Sequence, residues 1–226
     1  SVGKASDRPH SHKTPERPAY DRHKWRVDGQ NYGLYWGDVH RHTDVSNCRT
    51  GYDGCIVDHF RYAYDLGKID FLGTSDHTDI GKIYHPYEWW HNQRMHDALH
   101  SPGEFNTVYV YEREQRWPWG HRNIVFAQRD GPIVYIKRSF YLNSPWQKTL
   151  PVDPKGTAEI SPYELWDLLK QYGKPVAALS HTGATGMGTD WKIYEKFDYS
   201  SENVVEIYQG ARVSYEGAGA PQPSVG

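Results

Sequence analysis

Four separate apolar stretches of this 226-residue chain each run into a histidine or a carboxylate, and that placement limits the folds open to it more than any other feature. Leu34–Val39 leads into His40 and His42, Ile69–Thr74 into Asp76 and His77, Thr107–Tyr111 into Glu112, and Pro175–Leu179 into His181. Short apolar runs rich in β-branched and aromatic residues read as buried strands. Asn123–Gln128 and Asn203–Tyr208 add two more. Between them lie segments with helical spacing: Ile56–Leu66 stopped by Gly67, Tyr87–His100 behind Pro86, and Ser161–Tyr172 with Pro162 in its first turn and Gly173 after its end. Strands alternating with helices predict a parallel α/β sheet or barrel. In such a barrel the C-terminal strand ends meet on one rim, so polar residues at four strand ends predict one shared site.

Composition narrows the function classes. Lys+Arg 26 against Asp+Glu 28 leaves a formal charge of −2, which argues against a broad nucleic-acid-binding face. No apolar run reaches the roughly 18 residues of a membrane span. Aromatics at 15% argue against general disorder, and 13 histidines justify a search for metal spacing. Residues 1–30 carry Pro9, Pro15, Pro18 and almost no aliphatics, and read as an extended N-terminal arm before a domain over 31–226. His10, His12 and His23 of the arm read as solvated. Cys48 and Cys55 stand seven positions apart in a Gly/Asp-rich loop. A short disulfide there suits a secreted or periplasmic protein; two reduced thiols are the alternative. The chain opens at Ser1 with no apolar signal segment, as it would after removal of one.

Alternate residues of a strand share a face, so His40 and His42 can present two imidazoles to one metal, with Asp38 as an acceptor orienting a ring. Ser75-Asp76-His77 repeats the theme, and Glu112, Gly120-His121-Arg122-Asn123 and Ser180-His181-Thr182 extend it. Five histidines and a carboxylate at strand ends suit a multinuclear hydrolytic centre, in which two or three divalent ions clamp a phosphoryl group and lower the pKa of water towards about 7. No Gly-rich phosphate loop, nucleophile elbow or dinucleotide fingerprint competes, and Ser180-His181 lacks an evident triad partner.

Asp38-Val39-His40-Arg41-His42-Thr43, then Asp53-Gly54, then Thr74-Ser75-Asp76-His77, resemble the opening of the PHP (polymerase and histidinol phosphatase) superfamily. The phrases around Glu112, His121 and His181 follow in the family's order, and Val205-Glu206-Ile207-Tyr208-Gln209-Gly210 with Arg212 and Tyr215-Glu216 resembles a branch of uncharacterised function. The likeness covers about residues 34–220. It implies a distorted TIM-like (β/α)7 barrel and up to three ions of zinc, manganese or iron. By position, His40, His42 and Glu112 would hold one ion. Glu112 would bridge to a second held by His121 and His181, and Asp53, or its rival Asp44, would join His77 on a third. Asp76 would support a neighbouring histidine. The family's closing Asp-x-His or Ser-Asp-His motif does not follow His181, which implies a barrel incomplete at its C-terminus, or a site with fewer metals.

Arg122 and Arg212 are candidates for binding a substrate phosphate or carboxylate, with a structural ion pair as the alternative. Glu206 reads as support for a ligand or as a charge at the barrel mouth. His91, His96 and His100 read as a solvated helix face, and Trp89, Trp90, Trp117 and Trp119 as core. The resulting expectation is a metal-dependent phosphoesterase acting on a small anionic ester. The rival is a non-catalytic extracellular binding or structural protein that assembles through its N-terminal arm as a homo-oligomer.

Overall fold

A computed structural model describes residues 22–46, 53–78, 86–136, 159–184, 186–209 and 214–215. Arg212, Cys48 and the first 21 residues lie outside that set, as does the tail after Tyr215. Cys55 carries an exposed free thiol 3.3 Å from Asp58 Oδ2.

The chain begins with a two-stranded antiparallel hairpin, β1 (Lys24–Val27) and β2 (Gln30–Gly33), turned at Asp28-Gly29, where both residues have positive φ. This places regular structure at the end of the segment read as an arm. β3 (Gly37–Arg41), β4 (Phe71–Thr74) and β5 (Asn106–Thr107) then form a three-stranded parallel sheet. Its connections carry α1 (Ile56–Arg61), which continues as a wider π turn over Tyr62–Gly67, and α2 (Pro86–Leu99). Ile56, Phe60 and Ala63 of this helical run bury against Leu72 and Phe105, giving the first of two cores.

The second sheet contains β6 (Tyr109–Glu114), β7 (His121–Phe126), β8 (Val176–Ser180) and β9 (Val204–Val205) in that order. β6, β7 and β8 pair antiparallel and only β8–β9 is parallel. α3 (Pro162–Tyr172) starts at a capping box between Ser161 and Glu164 and stops at Gly173 in the left-handed region. Its Leu165, Leu168 and Leu169 bury with Trp89, Tyr111, Ile124, Phe126 and Ala178 against one face of this sheet. A last pair, β10 (Tyr208–Gln209) with β11 (Ser214–Tyr215), is antiparallel.

The (β/α)7 barrel expected from the sequence is therefore corrected: the described residues form small mixed sheets with three α-helices and no closed barrel. The reason lies between β6 and β7. Parallel neighbours need a crossover of about a dozen residues or more, and only residues 115–120 are available. The chain reverses there, and Gly120 makes the reversal: its φ is +72°, and a Cβ would stand 2.2 Å from Thr189 Oγ1.

The two sheets meet at one parallel bridge between His77 and Glu112. Thr78 N–H donates to Glu112 O and Glu112 N–H to Asp76 O, each at 3.0 Å. The histidines and carboxylates singled out in the sequence gather along this seam.

Candidate metal centre

Pleat parity selects the inward residues. On β6, Glu112 and Glu114 alternate with Arg113, whose guanidinium turns the other way to Val134 O, Gln115 and Ile160 O. Register pairs Glu114 with His121 and Glu112 with Asn123, which puts His121 on the inner face and Arg122 on the outer. His181 follows directly after β8, and His40 lies in β3 with His42 just beyond it. Asp76 secures the loop that carries His42: its carboxylate accepts from Thr43 N–H at 2.7 Å and from the Thr43 and Ser46 hydroxyls. Ser46 Oγ in turn accepts from His77 N–H at 3.0 Å. The support expected of Asp76 thus runs through Thr43 and Ser46 to the backbone that carries the rings.

The outcome is five imidazoles around one buried carboxylate. Glu112 Oε2 lies 2.5 Å from His42 Nε2, 3.2 Å from His77 Nδ1 and 3.7 Å from His40 Nε2. Glu112 Oε1 lies 2.8 Å from His121 Nδ1 and 3.4 Å from His181 Nε2. Two sets of ligand atoms are close enough to hold an ion: His40, Glu112 and His181, and His42, His77 and Glu112. The division differs from the one the family resemblance implied. His40 groups with His181 and not with His42, and His77 joins His42 and not Asp53. His121 touches the shared carboxylate from outside both sets. Asp53 lines the cavity at the mouth, and Asp44 begins a short 3-10 turn in which its N–H donates to Gly54 O.

The donor set fits divalent metal ions. Glu112 Oε2 and His181 Nε2 are buried, and their close polar neighbours are the imidazoles and carboxylate of the cluster itself, without hydrogen-bond geometry. Imidazole nitrogens with a carboxylate suit zinc, manganese and iron.

Electrostatics around Glu112 follow from its neighbours. Burial alone would raise its pKa, but the imidazoles of His77, His42, His181 and His40 outweigh burial and hold it well below the usual carboxylate range. Burial opposes charge on His40 as well, yet Glu112 and Glu206 overcome it and raise the imidazole to about 10. His181 moves the other way, pushed well below 6.5 by burial and by the neighbouring His40. A raised pKa means stability that is complete below the unfolded value and is lost as pH rises through the folded one. The chelator-treated chain is therefore expected to lose thermal stability between pH 6.5 and about 10, and Glu206→Gln to flatten that alkaline limb. Melting curves across pH check it; identical limbs in both proteins would contradict it.

Three supporting residues complete the centre. Glu206 Oε1 lies 2.7 Å from His40 Nδ1, and Gln209 Nε2 donates to Glu206 Oε2 at 3.0 Å and lies 3.3 Å from His181 Nδ1. Glu206 thus holds the ring of a candidate ligand, the arrangement that one of its two readings from the sequence describes. Glu114 Oε1 is 2.7 Å from His77 Nδ1. Sequence reasoning missed Glu114, although it stands two residues after Glu112 and so shares its face. It gave Gln209 no role, although the residue stands in the Val205–Gly210 phrase, three positions after Glu206.

Arg122 does not face the centre. It is fully buried, with Nε 2.9 Å from Glu202 Oε2 and its terminal nitrogens on Trp119 O, Gly120 O and Tyr194 Oη. His96, read as solvated, is buried against Phe60, accepts from Thr74 N–H at Nε2 and contacts Asn92 O at Nδ1; burial pushes it down to about 4. Of the tryptophans read as core, Trp89 is buried and Trp90 is exposed.

No helix among the described residues is long and apolar enough to cross a membrane. No protein-family model matches the chain, and comparison with curated proteins returns no match. Among solved structures, the chain is similar to a two-domain protein from Bacteroides vulgatus ATCC 8482 containing a predicted PHP-like metal-dependent phosphoesterase. The identity is 13% and the TM-score 0.41, over 80% of this chain and 43% of that one, so the chain spans less than half the length of that protein.

Proposed function

We propose that this protein is a metal-dependent phosphoesterase whose centre holds two divalent ions on either side of Glu112. The observation that carries the proposal is the sharing of one buried carboxylate by two ligand sets. The reaction class rests on the ordered histidine motifs of the sequence. When bound, two such ions supply Lewis acidity for the phosphoryl oxygens and a water nucleophile available at neutral pH. The protein's own residues hold and orient. Glu206 fixes the His40 ring through Nδ1, and Glu114 Oε1 lies 2.7 Å from His77 Nδ1, the nitrogen that also approaches Glu112. Asp38 accepts from His40 N–H at 2.8 Å and sets the backbone at the strand end. A cavity of about 450 Å³, lined by His40, His42, Asp38, Arg41, Asp53, Glu206, Tyr208 and Gln209, admits substrate. That volume suits a small-molecule ester.

The test is elemental mass spectrometry on the full chain together with a panel of phosphomonoesters and phosphodiesters. Two equivalents of a transition metal per chain, with hydrolysis abolished by a chelator and restored by Zn²⁺, Mn²⁺ or Fe²⁺, is the expected result. Loaded protein inert on the whole panel would favour the binding or structural reading over catalysis.

A further inference from the structure

Arg41 stands between the two histidines of the HxH motif and belongs to neither ligand set. We infer that Arg41 is a specificity residue that binds a second anionic group, carboxylate or phosphate, on an ester whose reacting phosphoryl sits at Glu112. The inference rests on the proposed function and names its substrate class more closely: a small phosphoester bearing another anion.

A bulge in β3 aims the side chain. The strand pairs Asp38 with Leu72 and Arg41 with Thr74, so Val39 and His40 together stand opposite Gly73 alone. Strict alternation would put Asp38 and Arg41 on opposite faces; the bulged residue brings them to the same one. Both line the mouth cavity, beside His40 and His42. Arg41 is exposed there.

One edge of the guanidinium is anchored. Arg41 Nε donates to His59 Nδ1 at 3.1 Å, and His59 is buried on α1. A nitrogen that accepts this bond carries its lone pair, so the partner is a neutral imidazole and the guanidinium keeps its full charge. Burial, then Arg41 itself, keep His59 below its ordinary pKa. The Nε edge is occupied and the two terminal nitrogens remain, the fork that suits a carboxylate or phosphate. Among the described residues no carboxylate pairs with this guanidinium.

Two of the three carboxylates at the mouth are committed. Asp38 accepts from His40 N–H, and Glu206 is tied to the His40 ring and to Gln209. Of the lining carboxylates only Asp53 has no such tie. Arg122, the other described candidate for anion binding, is buried on the outer face. Arg41 is thus the one arginine or lysine in the cavity lining among the described residues. His40 and His42 reach towards Glu112 while Arg41 is held on the flank beside α1, which is why it reads a group away from the reacting centre.

The experiment measures dissociation constants by calorimetry on metal-loaded full-length protein with two probes: methyl phosphate, and phosphoglycolate, which adds a carboxylate. Wild type is expected to bind phosphoglycolate roughly tenfold to a hundredfold more tightly, the span of one charge-assisted anion contact. Arg41→Met is expected to abolish that difference and Arg41→Lys to retain part of it, with unchanged metal content showing that the centre is intact. Equal affinities for the two probes in wild type overturn the inference. So does an undiminished preference in Arg41→Met, or a loss that is the same for both probes. Failure of the phosphoesterase reading shows elsewhere, as wild-type protein without metal or without turnover.

Discussion

Glu112→Gln is expected to remove both metal sets in one step: metal per chain drops to less than half of the wild-type value and phosphoester turnover falls roughly a thousandfold, as loss of several kcal/mol of transition-state stabilisation dictates. The substitution keeps the shape and removes the charge. It also replaces a carboxylate oxygen with an N–H₂ donor among five imidazoles, four of whose approaches to this group are 3.4 Å or shorter. His40→Ala, by contrast, touches one set only and is expected to leave close to one equivalent. The graded pattern separates a shared carboxylate from two independent sites. Thermal stability without metal is the wrong measure here, because deleting a buried carboxylate also removes its desolvation cost. Two equivalents retained in Glu112→Gln would refute the shared-carboxylate reading.

The second large effect concerns folding. Glu202→Ala leaves the Arg122 guanidinium buried without its counter-charge and takes away the acceptor of Trp166 Nε1–H, 3.0 Å from Glu202 Oε2. Breaking a buried pair from one side costs about 3–5 kcal/mol, which for a chain of this length lowers Tm by roughly 10 °C. Metal content per folded chain is expected to stay at the wild-type level. Arg122→Met combined with Glu202→Leu is expected to recover much of the stability, since two apolar side chains can replace a buried pair. Calorimetric melting of the three proteins decides the matter. A Glu202→Ala chain that melts like wild type while losing turnover would restore Arg122 to catalysis.

The residues that gather at the centre stood out in the sequence because a core has little use for so many histidines at the ends of its apolar strands. His40, His42, His77, Glu112, His121 and His181 all meet at one point. Their grouping was not legible, since it depends on which rings face each other across two sheets. His40 and His181 lie with ring centroids 4.2 Å apart, as do His42 and His77, although neither pair is close in the chain. Parity would have settled Arg122. If His121 faces the centre, its neighbour on the same strand faces away, and the same rule admits Glu114 once Glu112 is accepted. The barrel failed because strand-end chemistry says where side chains gather and nothing about strand direction. Direction was set by the short 115–120 turn, which the sequence bounds of Thr107–Tyr111 and Asn123–Gln128 concealed by leaving residues 112–122 between the strands.

The bridge between His77 and Glu112 has a consequence for how the chain reaches its native state. The two cores are built from different strands, α1 with β4 and β5 in one and α3 with the antiparallel strands in the other, and α2 contributes Trp89 to the second and Met95 and Leu99 to the first. The junction between them also brings His40 to His181 and Glu206, contacts of long sequence separation that carry a loop-closure cost. Metal capture draws on ligands from both halves, so its free energy acts on docking as well as on affinity. A chelator is then expected to slow refolding, so that ions held at this seam would serve as a clasp between the two sheets.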